Sequence, residues 1–272
     1  MNFFNKTLLK LFSKTLKKNR KFKDLHKGKS CYIFGNGASL KYYDLKLFND
    51  KASIGCGVLF THKDFKNLNL KYYYIAHPLF FYKFWKNPYS KRYEKNKVGE
   101  FYRRNIAFSP EMQYFTSLSN YFGIKGENIN YLYHFGQKDE LSVNSQMDEV
   151  FSMMQGSLNG MIGVALYLGF TDITLVGCDY TFSPKLNGHF YERGPEKSME
   201  GPAFTAKTLS LIKDKVTICT VTPNEEFGGD ILPSITYKEL VGDNPVYRDN
   251  DKILSEADLK ELDSMGMDYT IQ

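Results

Sequence analysis

The chain has 272 residues, 42% of them apolar and 24% charged, which suits a water-soluble globule with room for one large α/β domain or two small ones. The formal net charge of +6 is uneven: residues 1–29 hold ten Lys or Arg and one acidic residue, so the remainder stands at −3, which argues against a nucleic-acid surface on the main domain. Cys31, Cys56, Cys178 and Cys219 lie in or beside apolar runs without metal-ligand spacing, so buried thiols in a reducing compartment are expected; no signal peptide and no bilayer-length apolar run is visible.

Residues 1–23 read as a basic amphipathic helix. Phe4, Leu8, Leu9, Leu11, Phe12 and Leu16 fall on one side at 100° per residue, and Lys6, Lys10, Lys14, Lys17 and Lys21 on the other. Such a helix suits an anionic membrane surface at the cytoplasmic face. It equally suits packing on the domain, or on a second copy, with its lysines in water. Residues 24–29 look like a connector.

Residues 31–34, Cys-Tyr-Ile-Phe, form an apolar run of β-formers. Gly35-Asn36-Gly37-Ala38-Ser39 follows at once, then a helix-like segment over 40–48. Strand, glycine turn, helix is how an α/β nucleotide-binding domain opens. The glycines allow a sharp turn and close approach of a ligand, and Asn36 and Ser39 offer polar side chains. A purely structural turn has the same appearance. Residues 52–56, 71–76, 105–108 and 130–133 are further predicted strands, and the aromatic, basic stretch 79–104 reads as an exposed helix or loop. Gly156-Ser157 opens a helix over 158–168 stopped by Gly169; strands at 173–176 and 216–221 flank a helix near 203–213.

The alternation predicts a doubly wound, mostly parallel, Rossmann-like sheet over residues 24–231, with a polar excursion near 180–202 shaped like a lid. Residues 232–272 are a polar extension packed on the same domain, with one short helix at 256–265 capped by Ser255 and stopped by Gly266.

Ligands of such sheets bind beyond the carboxyl ends of the strands. Gly35–Ser39, Cys56-Gly57, His77-Pro78 and Asp179-Tyr180 fall there, and the Ser157 helix start offers free N–H groups to a phosphate. His189 in the lid is a candidate general base, although a loop His is often only solvated; Tyr180 and Tyr191 could donate to a leaving phosphate. Asp249-Asn250-Asp251, the one D-x-D triplet, reads as a turn in the tail, remote from the strand ends, so no metal site is expected.

Several blocks, in order, resemble the bacterial sialyltransferases of glycosyltransferase family 42 and the related domain of unknown function 115, which includes flagellin-modifying transferases and pterin diphosphokinase-like proteins. They are residues 32–40 (YIFGNGASL), 76–81 (AHPLFF), Gly156-Ser157 with 163–170 (GVALYLGF) and 173–179 (ITLVGCD), His189-Phe190-Tyr191, and Val221-Thr222-Pro223-Asn224. Ala38 stands where relatives usually carry Pro, and His77 and Gly57 where they carry Asn. The lid spacing is inexact, so that the family's base His also aligns near Arg193.

The resemblance implies a sialyltransferase-like GT-A variant that moves a nonulosonate, such as sialic acid, from a CMP-activated donor to a cell-surface glycan (lipopolysaccharide or capsule), with inversion and without a metal or resident cofactor. It implies a catalytic role for His189, Tyr180 and Tyr191. Nucleotide or phosphate contacts would come from Gly35, Asn36, Gly37, Ser39, His77, Gly156, Ser157, Asp179 and Asn224. The implied enzyme is peripheral at the inner face of the cytoplasmic membrane, held by residues 1–23, with CMP-sugar and a glycan or glycolipid acceptor as partners and self-association open. Diphosphate transfer to a pterin-like alcohol and a non-catalytic nucleotide- or glycan-binding module are the alternatives.

Overall fold

The computed structural model of the chain describes residues 3–86, 97–134, 144–153, 156–195, 197–199, 210, 212–228 and 232–267. Its centre is an eight-stranded sheet of β1 (Ser30–Phe34), β2 (Ala52–Cys56), β3 (Leu70–Ile75), β4 (Gln113–Ser117), β5 (Ile129–Leu132), β6 (Asp172–Val176), β9 (Thr217–Thr222) and β10 (Ser234–Thr236). The spatial order is β10-β9-β6-β1-β2-β3-β4-β5 and every pairing is parallel. Strands β7 (Lys185–Asn187) and β8 (Lys197–Met199) form a separate antiparallel pair.

From β1 the chain builds outward through β2 to β5. It then returns to the other side of β1 with β6 and continues through β9 to β10. The direction of winding therefore reverses between β1 and β6. At such a reversal the connections leave on opposite faces and open a crevice at the carboxyl ends of the strands.

Side chains alternate across the pleat, so β1 sends Tyr32 and Phe34 into one core and Cys31 and Ile33 into the other. Helix α3 (Gly156–Leu168) covers the second face with Met161, Ile162, Val164 and Ala165, and α2 (Lys97–Phe108) covers the first with Phe101, Tyr102 and Ile106. Gly160 lets α3 sit close to β3, because an added Cβ would lie 2.1 Å from the Tyr74 ring. The Tyr74 hydroxyl is buried there without a hydrogen-bond partner among the described residues. Removing an unsatisfied buried hydroxyl stabilises a fold, so Tyr74→Phe should raise stability by about 1 kcal/mol in urea unfolding.

Two expectations need correction. Residues 40–48 do not form an α-helix; Ala38–Tyr42 and Leu45–Leu47 are separate 3-10 turns. Leu40, Tyr43, Leu45 and Phe48 are all buried at a spacing no single helix face presents, and the Asp44 carboxylate accepts Lys46 N–H, which favours a new turn. Residues 105–108 are the end of α2 rather than a strand, because Val98, Phe101, Tyr102 and Ile106 form a helical apolar stripe that outweighs a local run of β-formers. Strands β4 and β10 had no sequence signal strong enough to predict them. Most of the helix expected near 203–213 lies outside the described residues.

Helix α1 (Phe3–Lys17) lies along the edge strand β5, with Leu16 buried and Leu8, Leu9 and Phe12 against the core. The buried Asn19 amide donates to Tyr131 O (2.9 Å) and Met147 O (2.7 Å). It thereby satisfies a carbonyl of the outermost strand. Residues 24–28 pair with the end of α3 through Asp24 N→Tyr167 O, His26 N→Leu168 O and Gly28 N→Gly169 O. The amino-terminal segment is thus packed on the sheet, and no helix among the described residues is long and apolar enough to cross a membrane. The tail supplies β10, then α4 (Tyr237–Val241), α5 (Asn250–Ile253) and α6 (Glu256–Ser264), the last capped by Ser255 and followed by Gly266 at φ +69°.

Candidate functional site

The crevice begins where β1 and β6 end together. Gly35 N donates to Val176 O and Gly37 N to Gly177 O, both at 2.8 Å, so the two glycine turns lie in contact. Neither Gly35 nor Gly37 tolerates a side chain: a Cβ would fall 2.2 Å from Gly177 O in the first case and 2.3 Å from the Asp179 carboxyl carbon in the second.

Ser39 and Asp179 hold this turn from beneath. Ser39 N–H and Oγ–H donate to the Asp179 carboxylate at 2.8 and 2.5 Å, and both side chains are buried. Ser39 and Asp179 are expected to face a nucleotide; in the structure the Asp179 carboxylate accepts both Ser39 hydrogen bonds. The pair fixes the shape of the turn.

Asn36 links β1 to β2. Its amide donates to Cys56 O (2.8 Å) and its carbonyl oxygen accepts Val58 N–H (2.9 Å). Gly57, at φ +62°, is required beside it, because a Cβ there would lie 2.3 Å from Asn36 Oδ1. An Asn side chain at position 57 has no room in this arrangement. Burial pushes the Cys56 thiol up to about 12, opposed by the nearby Ser157 hydroxyl in the first turn of α3. The glycine turn and the start of α3 are therefore joined through one residue, Cys56. Gly156, at φ +79°, is exposed at the helix entrance, leaving the first N–H groups of α3 facing the same edge.

The excursion expected as a mobile lid is pinned onto this turn. Gly37 and His189 form an antiparallel bridge, and Phe190 N donates to Asn36 O at 3.1 Å. Phe190 is fully buried. His189 Nδ1 lies 2.7 Å from Glu192 Oε1, and the His189 ring stacks on Tyr191 at 4.9 Å. Glu192 is buried whereas His189 remains partly open to solvent. A carboxylate only accepts, so the imidazole presents Nδ1–H to it and leaves Nε2 as the outward acceptor. Glu192 was not among the expected site residues; its i,i+3 spacing from His189 was the available signal.

Three further residues hold the lid from below: Lys41, which sequence reasoning passed over, and Asp249 and Asn250, which it read as part of a turn. Lys41 is fully buried, and its ammonium donates to Glu192 O (2.7 Å) and Gly194 O (2.6 Å) with Asp249 Oδ1 at 3.4 Å. Asp249 also accepts Gly194 N–H, and Asn250 donates to Tyr191 O at 3.0 Å. Burial opposes ionisation of Asp249, but the Asn250 N–H and Lys41 outweigh it and hold the carboxyl below its ordinary range. The Asp249-Asn250-Asp251 triplet, expected as a turn remote from the strand ends, instead caps α5 and clamps the lid.

The remaining expected residues line the same edge at greater distance. His77, beyond β3, stacks on Phe80 and meets Trp85 at a tilt, and burial lowers its pKa. Tyr180 is partly exposed, with the Lys185 ammonium 5.6 Å from its ring. Asn224, beyond β9, is exposed and accepts Glu226 N–H in a local turn. Among the described residues no three His, Cys, Asp or Glu side chains converge as metal ligands would.

Behind the lid lies His62, buried and 5.7 Å from the Phe190 ring. Its Nδ1 accepts Asp64 N–H, and its Nε2 has no hydrogen-bond partner among the described residues. Burial, assisted by Arg248 and Lys63, pushes its pKa down to about 3. An unfolded His takes up its proton near pH 6.5, so below that pH the unfolded chain binds a proton the folded chain refuses. Stability should fall as pH drops from 6.5 towards 3, by about 2 kcal/mol at pH 5. In urea unfolding the drop between pH 7.5 and pH 5 should shrink by about that amount in His62→Gln; an unchanged drop would remove His62 as its source.

No protein-family model, curated protein or solved structure matches this chain.

Proposed function

We propose that the chain transfers a sugar, by class a nonulosonate, from a CMP-activated donor to a hydroxyl of a cell-surface glycan, with inversion at the anomeric carbon. The observation that carries this reading is the His189–Glu192 pair, held by main-chain pairing over a glycine turn that shares Cys56 with the start of α3. A base and an anion-stabilising helix start then face one crevice, as group transfer from a phosphate-activated donor requires.

In the step, the acceptor oxygen bonds to the anomeric carbon as the bond from that carbon to the CMP phosphate oxygen breaks. The acceptor proton passes to His189 Nε2, and Glu192 stabilises the imidazolium through Nδ1–H. The electron pair of the broken bond leaves with CMP, whose added charge meets the N–H groups opening α3 and the Ser157 hydroxyl. Tyr191 keeps the imidazole plane fixed by stacking, and Tyr180 lies at the lid base, where its hydroxyl can reach a phosphate. Asn36, through β2, fixes the turn on which the nucleotide rests.

Incubation with a panel of CMP-nonulosonates of sialic acid and Kdo type, with and without chelator, tests the reading. CMP release from at least one, persisting with chelator, is expected. No release from any donor would overturn it, and metal-dependent consumption of ATP with a pterin alcohol would assign diphosphate transfer instead.

A further inference from the structure

A ridge of exposed aromatic rings stands beyond the carboxyl ends of β3 and β4. Phe84 is 66% exposed and Phe122 74%. The two are connected beneath the surface. Phe84 stacks on Tyr82 at 5.1 Å, a Cβ on Gly123 would lie 3.0 Å from the Tyr82 ring, and Phe122 meets Tyr121 at 5.1 Å. Tyr121 in turn packs edge-on against Phe12 of α1 at 5.2 Å. The ridge therefore adjoins the packed face of α1.

Exposed cations border it. Lys83 precedes Phe84, and the Lys125 ammonium lies 5.4 Å from the Tyr121 ring and 5.8 Å from the Phe122 ring. Protruding rings set among lysines match a lipid interface, where rings enter the acyl boundary and ammonium groups meet headgroup phosphates. A protein partner would need pockets complementary to each ring, whereas a bilayer needs none.

We propose that this ridge docks the protein on an anionic phospholipid surface, with Phe84 and Phe122 entering the interface and the Lys83 and Lys125 ammonium groups at the headgroups. Because Phe84 follows β3 and Phe122 follows β4, docking turns the carboxyl edge of the sheet, and with it the crevice, toward the lipid. The docking stands on the surface alone; its benefit to a lipid-borne acceptor rests on the transfer reaction proposed above.

Sedimentation of the full chain with vesicles of phosphatidylcholine, and of phosphatidylcholine with about one third phosphatidylserine, tests it. Binding to the anionic vesicles is expected, reduced about tenfold or more by Phe84→Ser combined with Phe122→Ser. Phe108, 83% exposed where α2 leads into the amino end of β4, is the control, and Phe108→Ser should bind as the parent does. No binding to anionic vesicles, unchanged binding by the double variant, or equal loss in Phe108→Ser would overturn the proposal. So would self-association without lipid that the double variant abolishes, since the ridge would then serve a second copy. Lipid partition is read without any donor sugar, so failure of the transfer reaction would leave this result standing.

Discussion

Replacing His189 with alanine should lower the rate of CMP release by about 10²–10⁴-fold, the usual contribution of a positioned base, while CMP still binds. The split between turnover and binding follows from the geometry. His189 meets the glycine turn through its backbone, in the bridge to Gly37, and the substitution leaves that pairing in place. Only the ring is lost, and with it the acceptor nitrogen on the solvent side. Glu192→Gln should lower turnover as well, by about tenfold or more, because an amide stabilises an imidazolium less than a carboxylate does. A loss confined to the Ala variant, with Glu192→Gln unaffected, would limit Glu192 to folding; unchanged turnover in His189→Ala would remove His189 as the base.

The second large effect belongs to Lys41. Its ammonium has no exposed surface and holds the lid through Glu192 O, Gly194 O and Asp249. Lys41→Met keeps the volume of the stem but leaves the Glu192 and Gly194 carbonyls without this donor and Asp249 with only its backbone N–H donors. Asp249 remains partly solvated, which limits the cost of its lost partner, so a loss of about 2–4 kcal/mol is expected in urea unfolding. Hydrogen exchange should locate the change: the amides of Phe190, Glu192 and Gly194, which donate to Asn36 O, His189 O and Asp249, should exchange faster than those of β1 and β6. Full stability with unchanged exchange over 189–194 would show that the lid is held by other contacts.

These residues also mark where the sequence could be read and where it could not. The parallel sheet followed from runs such as 31–34 and 173–176, because buried central strands are continuous apolar segments and their period needs no partner to be seen. The glycine turn was legible for the same reason: Gly35 and Gly37 have a steric meaning, and the structure finds a carbonyl and a carboxylate where their side chains would be. Polar residues were harder. Ser39 and Asp179 looked like ligand contacts at strand ends, and nothing local showed that, 140 positions apart in sequence, they bond to each other. Lys41 read as one lysine among many, because nothing local says that an ammonium will be enclosed by a loop 150 residues later. Asp249 and Asn250 looked like a tail turn until the fold brought them under Gly194 and Tyr191. Secondary structure failed where tertiary burial overrode local preference, at 40–48 and 105–108.

The account's central claim is that a nucleotide phosphate rests between the Gly35–Ser39 turn and the beginning of α3. Crystals of the protein soaked with CMP test this directly. The phosphate should lie within hydrogen-bond reach of the Ser157 hydroxyl or the first N–H groups of α3, with the nucleoside beside Asn36 and Gly37. CMP bound elsewhere on the molecule, or α3 and the glycine turn left empty at saturating CMP, would contradict it.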